Sequence, residues 1–360
     1  MTAELTYRKF TEKDLVKISE FRKSNFRYNS SLRSYEPEYY SWKCCQNPVL
    51  PGEMWLAEDG DKIVGIRNLT PKRMKVLEKV VNAAEVGDNF VHPDYQRRGI
   101  ATKLIVAIRE SMLGKGISLI YGVPGRITSI AEYMKKMNYA PVPIKLRTLV
   151  KPLDMKQLLK VKGHFPSPLA AFVSPVIKII SDIITRIGAM GSTLSDISIS
   201  MASSFPDDIG VLWEEVSKHY DIMLVRTKDY LEWRYIKNPD TYSIMLAVNK
   251  AGTTVGYIVT KVGFYNGVPV GFIVDFLTLE DNKRIFRQLL LSAIKEFHQQ
   301  KVSAILTWVV RGGFYARILS SFGFLPYGKS MVSCYQNELG SQVTDNYYKW
   351  HFTMGDTDNI

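Results

Sequence analysis

The pattern of apolar and polar positions divides the chain into strand-like and helix-like stretches. Residues 5–10, Leu-Thr-Tyr-Arg-Lys-Phe, alternate as a half-buried strand does, and Thr11-Glu12-Lys13-Asp14 then opens a helix with carboxylates in its first turn. Residues 25–37 are polar and aromatic, a loop or a short helix. Glu53–Ala57 and Ile63–Asn68 read as two strands joined by the turn Glu58-Asp59-Gly60-Asp61. A strand through residues 85–92 runs into Pro93, and helical spacing follows from Thr102 to Met112. Ile117–Gly122 is a short apolar run, the mark of a buried strand. A helix over Ser129–Met137 and a strand from Tyr139 to Val142 complete a first unit. This alternation predicts an α/β fold with a mixed sheet and a ligand at the carboxyl ends of its strands.

Residues 151–204 have a different texture. His164-Phe165-Pro166-Ser167-Pro168 breaks the chain, after which Leu169–Ile187 is apolar at helical spacing, interrupted by Pro175, Lys178, Asp182 and Arg186. The stretch predicts an amphipathic helix packed between two domains, with peripheral docking on a membrane as the alternative. The Gly- and Ser-rich run from Gly188 to Ser198 reads as a linker.

Beyond it the pattern repeats. Tyr39, Trp42, Lys43, Asn47 and Pro48 line up with Tyr230, Trp233, Arg234, Asn238 and Pro239 at a constant offset of 191, which also carries Val64-Gly65 onto Val255-Gly256. Two copies of one unit are therefore expected: residues 1–150, a helical linker region over 151–204, and a second unit over 205–360. The expected architecture is two tandem domains, each a twisted mixed sheet flanked by helices.

The copies diverge at one point. In the first, Gln96-Arg97-Arg98-Gly99-Ile100-Ala101-Thr102-Lys103 joins a strand directly to a helix. Backbone amides at a helix start lack intrahelical acceptors, the helix dipole favours an anion there, and Gly99 lets a phosphate approach with no Cβ in the way. In the second copy the strand Phe272–Leu277, equivalent to the strand of Asp88, is followed by Glu280-Asp281-Asn282-Lys283-Arg284, which has no glycine and two carboxylates. That sequence repels an anion. The helix Ile285–Phe297 and the strand Ala304–Val310 keep the fold signals. The degenerate copy indicates that Gly99 serves a ligand rather than the fold.

The run Val91-His92-Pro93-Asp94-Tyr95-Gln96-Arg97-Arg98-Gly99-Ile100-Ala101-Thr102-Lys103-Leu104 resembles the acetyl-CoA loop of the GCN5-related N-acetyltransferases (GNAT), and the doubled chain resembles the bacterial tandem members of that superfamily. The resemblance implies two GNAT-like domains and acetyl-CoA as cofactor. It implies that the backbone of Gln96, Arg97, Arg98, Gly99, Ile100, Ala101 and Thr102 holds the pyrophosphate, and that Phe90 and Val91 pair with the pantetheine arm. It also implies direct transfer of the acetyl group to the amine of a small metabolite, for instance an amino sugar. Glu85, eleven residues before Gln96, resembles the family's general base. Asp88 competes with it, and strand alternation puts the two on opposite faces. The family's acid is a Tyr whose matching position is Met134, one residue from Tyr133. A non-catalytic acyl-CoA-binding or protein-interaction module is the alternative reading.

Composition narrows the partners. The formal charge of +12 favours an anionic one, and CoA or an anionic acceptor answers to that. No cluster of Lys and Arg suggests nucleic acid. Three cysteines, two of them adjacent, form neither a disulfide framework nor a metal-ligand spacing, and the start of the chain has no apolar signal segment, so a cytoplasmic location is expected. No run is long enough for a transmembrane segment. The oligomeric state is not encoded in any pattern of the sequence.

Overall fold

The structure, a computed structural model, describes residues 4–26, 33–123, 135–154, 179–191, 196–265, 267–279, 282–345 and 349–358. In chain order the first half supplies β1 (Thr6–Lys9), α1 (Leu15–Asn25), α2 (Pro37–Cys45), β2 (Glu53–Asp59), β3 (Lys62–Val76), β4 (Lys79–Val91), α3 (Ile100–Leu113), β5 (Leu119–Gly122), β6 (Tyr139–Val142) and β7 (Leu146–Pro152). A helix through residues 179–189, α4, follows. The second half supplies β8 (Ile197–Ala202), β9 (Ile222–Leu224), α5 (Lys228–Leu231), β10 (Ser243–Asn249), β11 (Thr254–Tyr265), β12 (Val268–Thr278), α6 (Lys283–Gln299), β13 (Ala304–Val310), α7 (Phe314–Ser321), β14 (Leu325–Lys329), β15 (Val332–Tyr335) and β16 (Trp350–His351). The helix expected over Ser129–Met137 lies largely outside the described residues.

Two mixed sheets result. One runs β1-β2-β3-β4-β5-β15-β6, with β9 and β16 added beside the far end of β3; the other runs β14-β7-β13-β12-β11-β10-β8. The halves exchange strands. β7, from the first half, is antiparallel to both β13 and β14 in the second sheet. β15, from the second half, is antiparallel to β5 and β6 in the first. Matching strands occupy matching places, so the repeat seen in the sequence is a pseudo-symmetric pair of sheets, each completed by the other. The tandem, mixed-sheet α/β architecture expected from the sequence is the one observed.

Equivalent small residues set the helices on the sheets. A Cβ on Gly65 would come within 2.8 Å of the Ile100 side chain, and one on Gly256 within 3.2 Å of the Ile285 side chain. Both glycines let a crossover helix start close against its sheet. In α3, Ile100, Leu104, Ile105, Ile108 and Met112 then form a buried stripe at helical spacing.

Two expectations are corrected in the linker region. Residues 197–202 are not linker: Ile197 and Ile199 alternate with Ser198 and Ser200, and the strand β8 pairs with β10 and packs its isoleucines on the second core. The described part of the apolar helix, α4, does not lie between two domains. Its contacts are with the second sheet and its helices, where Lys151 of β7 reaches Ser181 and Gly188 rests against Ser321 and Phe322. Residues 169–178 of that expected helix lie outside the described residues.

The motif at offset 191 sits where the halves meet. Tyr39, Trp42, Tyr230 and Trp233 are all nearly fully buried and belong to a core shared by both sheets. The second copy of the motif runs from α5 into a π-helical turn, Glu232–Ile236.

Candidate active site

The cradle is built by β4, the loop after it and the start of α3. Gly99 caps the helix in a left-handed conformation, φ +77°, and Arg97 is also left-handed at φ +63°. A Cβ on Gly99 would meet nothing within 4 Å, so the turn faces open space. The Lys103 N–H bonds the Gly99 carbonyl at 3.0 Å, placing the first turn of the helix immediately behind the loop. Arg98 is held to the loop itself: it donates to the Asp94 carbonyl at 2.8 Å and stacks over Tyr95, whose hydroxyl donates to Asp59 at 2.6 Å. Gln96 ties back to the Val91 carbonyl, and Arg97 is exposed. These residues fit an anionic pyrophosphate, with backbone amides and an open glycine at a helix N-terminus.

The strand behind the cradle has one free edge. β4 pairs with β5 in parallel only over Ala83↔Leu119, Ala84↔Ile120 and Glu85↔Tyr121. It then continues to Val91, still paired to β3 through Ile66↔Phe90 and Gly65↔Val91. From Val86 onward its other edge meets no strand among the described residues. Phe90 and Val91 lie on this stretch, which is open for hydrogen bonding to an extended ligand.

Glu85 and Asp88 share a face, against the alternation expected for an unbroken strand. The β3–β4 register shifts between Ile66 and Asn68, and Asp88 is left-handed at φ +41°. This bulge inserts an extra residue and resets the side-chain alternation. Both carboxylates thereby enter one buried chain of charges. Glu85 is 3.0 Å from Lys72, Lys72 is 2.8 Å from Asp358, Asp358 is 3.9 Å from Lys43, and Lys43 is 2.8 Å from Asp88. Arg22 closes the far end, 3.2 Å from Asp88, with its guanidinium 3.6 Å above the Phe90 ring.

The two carboxyls titrate differently. Burial pushes Glu85 up to about 7, against the opposing pull of Lys72. Asp88 is equally buried, but Lys43 and Arg22 hold it below the usual carboxylate range. Their counterparts in the second half differ as well. The matched registers make Asp275 the counterpart of Asp88, again beside a shift in the ladder, and it is held by Arg226 through two hydrogen bonds of 3.0 and 3.1 Å. The position matching Glu85 is Phe272. An ion-paired Asp is thus common to both halves, while the place of Glu85 is taken by Phe272 in the second.

The chain's last described residues run between the halves and complete this centre. The Asp358 amide donates to Glu85 at 3.0 Å, Tyr39 donates to the Asp358 carbonyl, and Tyr121 donates to the Asp356 carbonyl at 2.8 Å. Arg234 donates to the Thr357 carbonyl at 2.7 Å, and Arg226 reaches Asp356 at 3.2 Å. Lys72, Asp356 and Asp358 were unnoticed in the sequence as site residues; Lys72 reaches the Asp356 carbonyl and the Asp358 carboxylate across 284 and 286 positions. Tyr133, the expected acid, lies outside the described residues. His92 serves the loop, its ring accepting from the Asp94 amide at 3.2 Å.

The doubled mixed sheet, with an open glycine turn at the start of α3, is the fold of tandem GNAT-like proteins. Residues 6–142 match the sequence profile of the acetyltransferase (GNAT) domain, and the chain has the fold of two tandem GNAT-like domains. No curated protein sequence matches the chain. Among solved structures, N-myristoyltransferase from Saccharomyces cerevisiae with bound myristoyl-CoA is similar over 93% of this chain and 83% of its own, at 13% identity and a TM-score of 0.64. A probable N-acyltransferase from Enterococcus faecalis is similar over 91% of this chain and 72% of its own, at 10% identity and TM-score 0.61. A tandem GNAT protein from the clavulanic acid biosynthesis pathway is similar over 92% and 98%, at 15% identity and TM-score 0.58. Among the described residues no helix is long and apolar enough to cross a membrane.

Proposed function

We propose that this chain is a cytoplasmic N-acyltransferase that uses acetyl-CoA and passes the acetyl group directly to the amine of a small acceptor. One observation carries the reading. The open turn at Gly99 leads into the unpaired edge of β4, and that edge ends at Glu85, which has no counterpart in the half lacking the cradle. The amides of Arg97 to Thr102 would hold the pyrophosphate, with Arg97 adding charge, and the backbone of Phe90 and Val91 would hold the pantetheine arm. When bound, acetyl-CoA supplies an acyl group already activated as a thioester. The match of residues 6–142 to an acetyltransferase domain supports acetyl as the group.

Glu85 takes the role of base. A carboxyl near 7 is both present as carboxylate and basic enough to accept a proton from an amine at neutral pH, a contribution of about 10²- to 10⁴-fold. Asp88 takes a structural role, holding Lys43 and Arg22 as Asp275 holds Arg226. Tyr121 keeps its proton, since burial raises it well above the usual tyrosine range.

The experiment is titration of the chain with acetyl-CoA and myristoyl-CoA, followed by free-thiol release over a panel of amines. Tight acetyl-CoA binding with amine-dependent thiol release supports the reading. The burial of Glu85 beneath Lys72 and the Asp358 amide favours a second reading, a module that binds acyl-CoA without turnover. Binding with no release across the panel would establish that alternative.

A further inference from the structure

Helix α4 has its polar side inward. Ser181 and Thr185 are buried: Ser181 accepts from Lys151 Nζ at 2.9 Å, and Thr185 donates to the Ser181 carbonyl at 2.7 Å. A Cβ on Gly188 would meet the Ser321 carbonyl oxygen at 2.7 Å, so this side is seated tightly on the end of α7. The apolar side is outward. Ile179, Ile183 and Ile187, one helical turn apart, are 58%, 50% and 61% exposed, and Ile180 and Met190 beside them are 50% and 70% exposed. A helix that served only the core would show the opposite order.

The rim of this face is cationic. Arg186 is exposed on the face itself. Arg287 donates to the Met190 carbonyl, which brings the first turn of α6, with exposed Lys283 and Arg284, beside the end of the helix. Arg317 is exposed on α7, against which Gly188 rests. Asp182, the carboxylate of the helix, faces His298 at 3.7 Å. An apolar stripe rimmed by arginines fits the interfacial layer of an anionic bilayer, where apolar burial and surface potential act together. A second copy of the chain would set the same cationic rim against itself and be repelled. The formal charge of +12 acts in the same direction.

We propose that the outward face of α4 docks this protein on an anionic lipid surface, with Ile179, Ile183, Ile187 and Met190 entering the interface and Arg186, Arg284 and Arg317 meeting the headgroups. The test is co-sedimentation of the full chain with phosphatidylglycerol/phosphatidylcholine vesicles and with phosphatidylcholine alone. Binding to the anionic vesicles is expected, weakened at least about tenfold by raising salt from 50 to 300 mM. The double variant Ile183→Asp/Ile187→Asp should reduce it by a similar factor, with an unchanged circular dichroism spectrum and acetyl-CoA affinity. Arg186→Glu/Arg284→Glu should remove the preference for anionic lipid. Wild-type chain that stays in the supernatant, or isoleucine variants that sediment like wild type, would overturn the proposal. So would a wild-type dimer in sedimentation equilibrium that the isoleucine variants dissociate, which assigns the face to a second copy.

Discussion

Trp42 donates its indole N–H to the Trp233 carbonyl at 2.7 Å, and Trp233 returns the same bond to the Trp42 carbonyl at 3.0 Å. Their rings stack at 4.6 Å, 13° from parallel. The residues are 191 apart, the repeat offset itself, so each is the other's image and the pair marks the pseudo-twofold axis between the halves. Trp42→Phe should leave the Trp233 carbonyl buried without its donor and destabilise the chain by about 1–3 kcal/mol. Trp233→Phe should cost a similar amount, and the double variant less than the sum, because the partners share one stack. Urea unfolding of the three variants measures this; strictly additive losses would mean the stack has no energy of its own.

Glu85→Gln should leave acetyl-CoA affinity unchanged and lower kcat by about 10²- to 10⁴-fold. In the wild type, kcat/KM should rise with pH through a limb near 7, since the base must be ionised and burial holds Glu85 at about 7. The limb should vanish in the variant. Full kcat in the Glu85→Gln enzyme would return the role to another group.

Lys72 favours the ionised form of Glu85, from 3.0 Å away. Lys72→Met should therefore move the wild-type limb to higher pH while keeping Glu85 in place. It should also destabilise the fold by about 3–5 kcal/mol, because Asp358 and Glu85 both lose a buried partner. A limb that stays put would separate Glu85 from the observed titration.

His351 is buried among the rings of Tyr220, Phe276 and Tyr315, and burial pulls its pKa down to about 3. The folded chain therefore excludes a proton that the unfolded chain binds below about 6.5. The stability this group contributes is present above that value and lost as pH falls toward 3, about 2 kcal/mol by pH 5. Glu85 has the reverse sign, its raised pKa removing stability as pH rises from about 4.5 to 7. His351→Phe should flatten the acid side of a stability–pH curve from denaturant melts, and an unchanged slope would acquit His351.

What the sequence revealed was local or periodic. The glycine turn was legible because Gly99 and the helix behind it are contiguous, and the repeat because Trp, Asn and Pro kept one offset. The shared face of Glu85 and Asp88 was not legible, since one left-handed residue at Asp88 reverses the alternation and no composition signals it. Lys72, Lys43 and Asp358 were missed for a different reason. Each is an ordinary charged residue until folding brings its partner from far along the chain, and Lys43 appeared only as the basic member of the repeated motif. The strand β8 was hidden in serines that alternate with isoleucines.

The exchange of β7 and β15 dictates an order of assembly. When a ribosome has released β5 and β6, the place between them is vacant, and it is filled only by residues 332–335, which are made after every strand of the second sheet. Until then the nascent first half carries exposed strand edges, which pair readily with other chains. The first half, although it carries the whole turn at Gly99, is thus not expected to fold as a separable part. Expressed alone to residue 145, it should aggregate or recruit a foreign strand, and co-expression of the second half as its own polypeptide is the route by which it would recover.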